Sequence, residues 1–269
     1  MKNITINQKY AFYQRAVQDP ESEIETFSWI YHDIFKKKPS RLREDFCGTF
    51  LLACEWVKSS VRNSALVLDL DPEPLRYGKK YNLSLLNQDQ QRRLSILQQD
   101  VRSVTTDKPH IIAASNFSFY IFKERSQLKN YFAAAHASLD KNGILLMDMV
   151  GGKGFTEAPS SEQRDYTKET KQGKEVAWFT YFWRSHRFDP KTRQGLWGID
   201  FQLPNKERFN GVFTYDWRVW SLSEVRSLLR QVGFSKVIVY QQQVSSDQYE
   251  VITRTPRDYC WICLVAAVK

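Results

Sequence analysis

Glu44, Asp45 and Gly48 stand close together in Leu42-Arg-Glu-Asp-Phe-Cys-Gly-Thr-Phe50. The acidic pair ends a short strand, and Gly48 marks a tight turn from which a helix opens. Such a turn leaves unpaired backbone N–H groups facing whatever lies above the sheet, which suits a ligand with acceptor oxygens. One helix later, Ala65-Leu-Val-Leu-Asp-Leu-Asp-Pro72 supplies an apolar strand ending in Asp69. A carboxylate at a strand tip can accept hydrogen bonds from two neighbouring ribose hydroxyls. Together these features describe an adenosine-type ligand lying across the carboxyl ends of a parallel sheet.

Two cofactor classes use that geometry. A dinucleotide needs G-x-G-x-x-G so that the backbone can approach a pyrophosphate. Here Gly48 stands nearly alone, between Phe46 and Phe50, whose rings would obstruct a pyrophosphate, and Glu44 and Asp45 would repel it. Carboxylates favour a ligand with a cationic end, such as the amino group of a methionine moiety. The expected cofactor is therefore S-adenosylmethionine, with S-adenosylhomocysteine as product.

The run Glu44-Asp-Phe-Cys-Gly-Thr49 resembles the first motif of class I S-adenosylmethionine-dependent methyltransferases, departing from it at Phe46 and Phe50. Asp69 matches the acidic residue after the second strand. Gln98-Gln-Asp-Val101 resembles the third-strand motif that meets the adenine, Asn116-Phe-Ser-Phe119 the fourth-strand segment, and Gly143-Ile-Leu-Leu-Met-Asp148 the fifth strand. Ala16-Val-Gln-Asp-Pro20, Leu42-Arg-Glu-Asp-Phe-Cys-Gly-Thr49 and Tyr215-Asp-Trp-Arg-Val-Trp220 resemble, more narrowly, a bacterial methyltransferase family along nearly the whole chain. The resemblance implies cofactor contacts from Glu44, Asp45, Phe46, Cys47, Gly48, Thr49, Asp69, Leu70, Asp100, Val101 and Asn116. Glu44 or Asp45 would hold the methionine amino group, Asp69 the ribose, and Asp100 the adenine amino group with the Val101 backbone on the ring. A helix cap competes with the first role, and Asp71 before Pro72 can serve as the cap that competes for Asp69.

Methyl transfer from a sulfonium is an in-line displacement with a good neutral leaving group. The protein contributes mainly orientation and a dry, shaped site. An obvious catalytic residue is therefore not required. Asn116, Ser118 and Tyr120 leave the fourth strand where the methyl should lie and are candidates for positioning the acceptor. Tyr181, Trp183, Tyr215, Trp217 and Arg218, in a later aromatic region, are candidates for roofing its pocket, where rings attract a cation. His32, His110, His136 and His186 form no recognisable constellation and read as structural. Neither a G-x-S-x-G elbow nor an H-E-x-x-H motif is present. Cys260-Trp-Ile-Cys263 has metal-site spacing, but it falls in an apolar terminal strand, where residues three apart face opposite sides. No metal site is expected.

These residues need a scaffold, and alternating strand and helix signals supply one. Strands are expected over 65–70, 94–97, 110–114 and from Gly143 to Asp148, with crossover helices from Thr49 to Val57, from Pro72, and from Gln127 to Leu139. The expected fold is α/β: a Rossmann-like methyltransferase fold with a seven-stranded, mostly parallel sheet and helices on both faces. Residues 1–40 read as a helical preface and 41–152 as the cofactor-binding core. Residues 153–174 are polar and read as a mobile loop. From Val176 to Trp220 the period becomes two, giving an antiparallel sheet inserted after strand five, so that 153–220 forms an acceptor lid. Residues 221–269 return to complete the core.

The net charge of +9 is dispersed in short runs such as Lys36-Lys-Lys38, without a basic arm or zinc module. The inserted aromatic sheet, as a roof over the carboxyl edge of the main sheet, favours an enclosed pocket and so a small-molecule acceptor methylated on nitrogen or oxygen. Methylation of RNA or protein, or S-adenosylmethionine binding without turnover, are the alternatives. No apolar run approaches the ~18 residues a membrane span needs. Met1-Lys-Asn-Ile-Thr-Ile-Asn-Gln-Lys-Tyr10 lacks the apolar core of a signal peptide, so a cytoplasmic location is expected.

Overall fold

Arg41–Asp45 (β1) runs through the middle of the main sheet and carries a charged pair, Arg43 and Asp45, into the core. The pair is tolerated because the guanidinium is satisfied on every side. Its Nε donates to Asp45 at 2.7 Å, and its other N–H groups reach the carbonyls of Val101 and Ser103 and the hydroxyls of Thr105 and Ser138. The computed structural model describes residues 4–242 and 249–269.

Two helices, Ile6–Val17 (α1) and Pro20–Phe35 (α2), precede β1. After it come Leu51–Ser59 (α3), Ser64–Asp69 (β2), Pro72–Tyr81 (α4), Gln88–Arg92 (α5), Leu94–Gln98 (β3), Ile111–Ala114 (β4), Arg125–Ser138 (α6) and Ile144–Gly151 (β5). Next are Lys153–Thr156 (α7), Ser160–Glu169 (β6), Glu175–Asp189 (β7), Gln194–Gln202 (β8) and Arg208–Arg218 (β9). Leu222–Val232 (α8), Lys236–Gln242 (β10), Tyr249–Val251 (β11) and Trp261–Val268 (β12) close the chain.

The main sheet has the order β11-β10-β12-β5-β4-β1-β2-β3, with β1 to β5 parallel and β12 antiparallel to both its neighbours. Apolar residues of α2 and α3 cover one face; α6 and α8 cover the other. The expected seven strands are present, and β11 adds a short eighth at the edge.

The insertion is a second sheet of order β6-β7-β8-β9. Here the expected mobile loop over 153–174 is corrected: it contains α7 and β6, and β6 pairs antiparallel with β7 along its length. Nearly every β6 side chain is exposed, so this edge strand is built mainly by backbone pairing, with Tyr166 stacked on Phe179, and the polar composition conceals it. Helix α1 docks on the insertion, Phe12 stacking on Phe179 at 4.2 Å beside Phe201. Helix α1 and the insertion thus pack against each other, and both line the cavities at the carboxyl ends of the parallel strands.

Candidate functional site

The turn after β1 is built from backbone that few sequences adopt. Phe46, Gly48 and Phe50 have φ of 55°, 52° and 49°. A left-handed conformation costs a non-glycine residue roughly 1–2 kcal/mol. Burial offsets it. Phe50 is wholly buried, its ring filling the space that the absent side chain of Gly78 leaves on α4. Phe46 packs against Phe122 and Tyr131. The turn residues Cys47–Phe50 delay the first crossover helix to Leu51, two residues after its expected start.

Gly48 is different. A Cβ built there meets no atom within 4 Å, so the turn leaves an open cradle. The Gly48 N–H donates to Asp69 Oδ2 at 2.7 Å, and Asp69 Oδ1 accepts the Asp71 N–H at 2.9 Å. Asp71 caps α4 through the Glu73 N–H. Glycine turn and strand-tip carboxylate, separate in sequence, therefore meet directly. Burial raises the Asp69 pKa against the pull of those N–H groups.

A cavity of about 360 Å³ lies over this turn and is lined by Glu44, Asp45, Phe46, Cys47, Gly48, Thr49 and Asp69, with Asn116 and Ser118 opposite. Both acidic side chains of the motif also serve the fold. Glu44 accepts the Ala53 N–H at 3.0 Å, near the start of α3, and burial holds its carboxyl well above the usual range. Asp45 is bound by Arg43 and by the Tyr131 hydroxyl. Helix α1 forms the outer wall. Lys9 and the Tyr10 hydroxyl both bind Glu73 of α4, at 2.7 and 2.9 Å, and Gln14 donates to the Thr49 hydroxyl at 2.7 Å. The Lys9 hydrogen bond is the main cause of the lowered Glu73 pKa.

A second cavity, of about 590 Å³, adjoins the first; Tyr13, Glu23, Ser115, Asn116, Tyr215 and Trp217 border both. Its roof is aromatic: Tyr215 and Trp217 lie 4.4 Å apart between centroids, and Trp183 lies 5.7 and 6.2 Å from them. Tyr181 and Phe155 complete that wall. The floor is a second strained turn, with Asn116 and Phe117 at φ of 59° and 56°. Their N–H groups each donate to Asp148 of β5 at 2.9 Å. Burial pushes the Asp148 carboxyl up to about 6. Glu23 reaches in from the first turns of α2 and accepts the Ser115 hydroxyl at 3.0 Å. Burial first, and repulsion from Asp148 second, push Glu23 up to about 7.

Other expected site residues lie elsewhere. Asp100 pairs with Arg102 at 2.6 Å and lines neither cavity, nor does Val101, which is buried, or Leu70, which is exposed. Tyr120 is buried, its hydroxyl donating to the Val150 carbonyl. Arg218 lies over the Trp220 ring and binds Glu224 and the Lys123 carbonyl. Tyr215 and Trp217 share one face of β9, so the next residue must face away. Glu23, Tyr13 and Asp148 are the residues sequence reasoning did not assign; only Asp148 stood inside a recognised strand motif.

The histidines His110 and His136 serve packing, one accepting the Ser40 N–H and the other set edge-on to Phe234. Cys260 is exposed and Cys263 buried. Among the described residues no group of His, Cys, Asp or Glu gathers into a metal site. No helix among them is long and apolar enough to cross a membrane.

No protein-family model matches the chain, and no curated protein matches it. Solved structures do. A S-adenosylmethionine-dependent methyltransferase from Clostridium acetobutylicum is 16% identical with a TM-score of 0.65, covering 97% of this chain and 98% of its own. An amino pentose methyltransferase of calicheamicin biosynthesis from Micromonospora echinaspora, solved with S-adenosylmethionine bound, is 12% identical with a TM-score of 0.67 and 99% coverage of each chain. A sugar N-methyltransferase from a Streptoalloteichus species is 13% identical with a TM-score of 0.66, covering 100% of this chain and 96% of its own. The chain therefore has the fold of S-adenosylmethionine-dependent methyltransferases over its whole length.

Proposed function

We propose that this chain is a S-adenosylmethionine-dependent methyltransferase that methylates nitrogen or oxygen of a small molecule. The observation that carries the reading is the pair of adjoining cavities, one over the Gly48–Asp69 turn and the other enclosed by aromatic rings, with a shared border. The first suits the cofactor. The open cradle at Gly48 admits close backbone approach, and Asp69 presents a carboxylate at the adjacent strand tip. The bound cofactor supplies a methyl group already activated on a sulfonium. What remains for the chain is to hold the acceptor in line and exclude water, and the second cavity is shaped for both. Its enclosure by Tyr181, Trp183, Tyr215 and Trp217 favours a small acceptor over a polymer, which needs an open groove. The fold shared with small-molecule methyltransferases supports the same class of acceptor.

The test is stabilisation by ligand followed by turnover. S-adenosylhomocysteine at a hundredfold excess over its dissociation constant should stabilise the protein by about 2.7 kcal/mol, and NAD should not. With S-adenosylmethionine and a metabolite extract, S-adenosylhomocysteine should form, and equally in extracts treated with nuclease or protease. Stabilisation by NAD alone would reverse the cofactor assignment. Turnover abolished by nuclease or protease would move the acceptor to RNA or protein.

A further inference from the structure

The acceptor cavity is charged in one sense. Asp19, Glu23, Asp148 and Glu162 line it, and Arg164 is the one basic side chain among the described residues that do. Arg164 lies over the Tyr181 ring, and the leading causes that shift Glu23 and Asp148 are burial, hydrogen bonds and, for Glu23, other carboxylates. Carboxylates enclosed without a cation are costly unless a ligand brings one. Facing them is the Trp183, Tyr215 and Trp217 cluster, and aromatic faces also favour a cation. Rings and carboxylates come from different elements, β7 and β9 against α2 and β5, and point to the same ligand charge.

Within that cavity Glu23 has the special position. It borders the cofactor cavity as well, and the Ser115 hydroxyl fixes its orientation. We propose, resting on the methyltransferase reading, that the acceptor is a primary or secondary amine bound as its ammonium ion, and that Glu23 takes the proton that frees the nitrogen lone pair. The proton passes from ammonium to the Glu23 carboxylate, leaving a neutral amine and a carboxylic acid. The lone pair then forms the N–C bond as the methyl C–S bond breaks, its electrons staying on sulfur as a neutral thioether. The methylated ammonium leaves, and Glu23 returns its proton to water. An alcohol can donate a hydrogen bond to a carboxylate but brings no positive charge to offset it.

A carboxyl held at about 7 suits this task. Relative to an ordinary glutamate, the shift favours the proton-transferred pair by roughly a few hundredfold, since each pKa unit is tenfold. Glu44, in the adjoining cofactor cavity, is also raised by burial and by the Glu23 charge, so the Glu23→Gln variant has to separate the two. Burial holds Tyr13, Tyr181 and Tyr215 above their usual range, and Asp148 titrates lower, at about 6. Asp19 caps α2, and Glu162 and Arg164 lie on the β6 edge of the cavity.

Two experiments decide the proposal, the first without any acceptor. Calorimetry gives the affinities of S-adenosylmethionine and S-adenosylhomocysteine from about pH 5.5 to 8.5. In the wild type the preference for the sulfonium should grow roughly three- to tenfold across pH 7, as the Glu23 charge develops near the methyl position. In Glu23→Gln that rise across pH 7 should be lost. Glu23→Asp should restore the slope. The second uses the metabolite extract after amine capping with an N-hydroxysuccinimide ester, which spares alcohols. Capping should remove at least nine-tenths of the turnover. In the uncapped extract, turnover should rise through about pH 7, and Glu23→Gln should lose tenfold or more in kcat and that inflection together. A wild-type preference that ignores pH, or turnover that survives capping, overturns the amine assignment while leaving the methyltransferase reading in place. Failure of the wild type to bind S-adenosylhomocysteine sinks both.

Discussion

Replacing Glu23 by Gln should make the protein more stable at neutral pH, which sets this residue apart from one retained for the fold. Its pKa rises from an ordinary 4.5 to about 7 on folding. The folded state therefore holds a proton that the unfolded chain has released, and stability falls as pH rises through that window. At about 1.4 kcal/mol per pKa unit, the loss is about 1 kcal/mol at pH 5 and about 3 kcal/mol by pH 8. Gln keeps an amide oxygen for the Ser115 hydroxyl and carries no charge, so the variant escapes that loss. Urea titrations at pH 5 and pH 8 should show Glu23→Gln more stable than the wild type by an amount about 2 kcal/mol larger at the higher pH. The pH dependence that remains should come from Asp148, near pH 6, and from Glu44, whose carboxyl burial also raises. Equal destabilisation of the variant at both pH values would show that Glu23 is a structural anchor and that the strain assigned to its charge is absent.

Asp69→Asn keeps an acceptor for the Gly48 N–H but loses the charge, so affinity for S-adenosylhomocysteine should fall roughly tenfold to a hundredfold by calorimetry, for a loss of about 1.5–3 kcal/mol. Glu73→Ala releases Lys9 and Tyr10 of α1 together. Because the ion pair is partly exposed, stability should change by at most about 1 kcal/mol, while stopped-flow release of S-adenosylhomocysteine should accelerate severalfold. Trp183 borders only the acceptor cavity whereas Trp217 borders both. Trp183→Ala should leave S-adenosylhomocysteine affinity within twofold, and Trp217→Ala should weaken it severalfold at a stability cost of about 3–5 kcal/mol. Equal binding losses in the two tryptophan variants would place both rings on the cofactor.

The cofactor half of the site was legible because one continuous strand–turn–helix builds it. Glu44 to Thr49 carries its own geometry, and Asp69 follows at the tip of the neighbouring parallel strand. Even there one inference needed the structure. The sequence puts the rings of Phe46 and Phe50 in the way of a pyrophosphate, yet their left-handed backbone sends Phe50 wholly into the core and sets Phe46 against other rings. The β6 strand was hidden for the opposite reason. An exposed edge strand needs no apolar alternation, so nothing in Ser160–Glu169 distinguishes it from a loop until β7 lies alongside.

The acceptor half was legible only in its aromatic residues, because the remainder is assembled from distant elements. Glu23 belongs to a helix that ends far from the insertion in sequence, and its place in the cavity depends on α2 docking against the main sheet while α1 docks against the insertion. Asp148 lies in a recognised strand, but its two N–H donors come from the Asn116–Phe117 turn after β4. Arg218 shows the reverse error. Strand alternation already placed it opposite Trp217, and its basic charge would oppose the carboxylates of the cavity. The charge pattern of that cavity is therefore brought together only by tertiary contact. The one-dimensional spacing decides only which cofactor it sits beside.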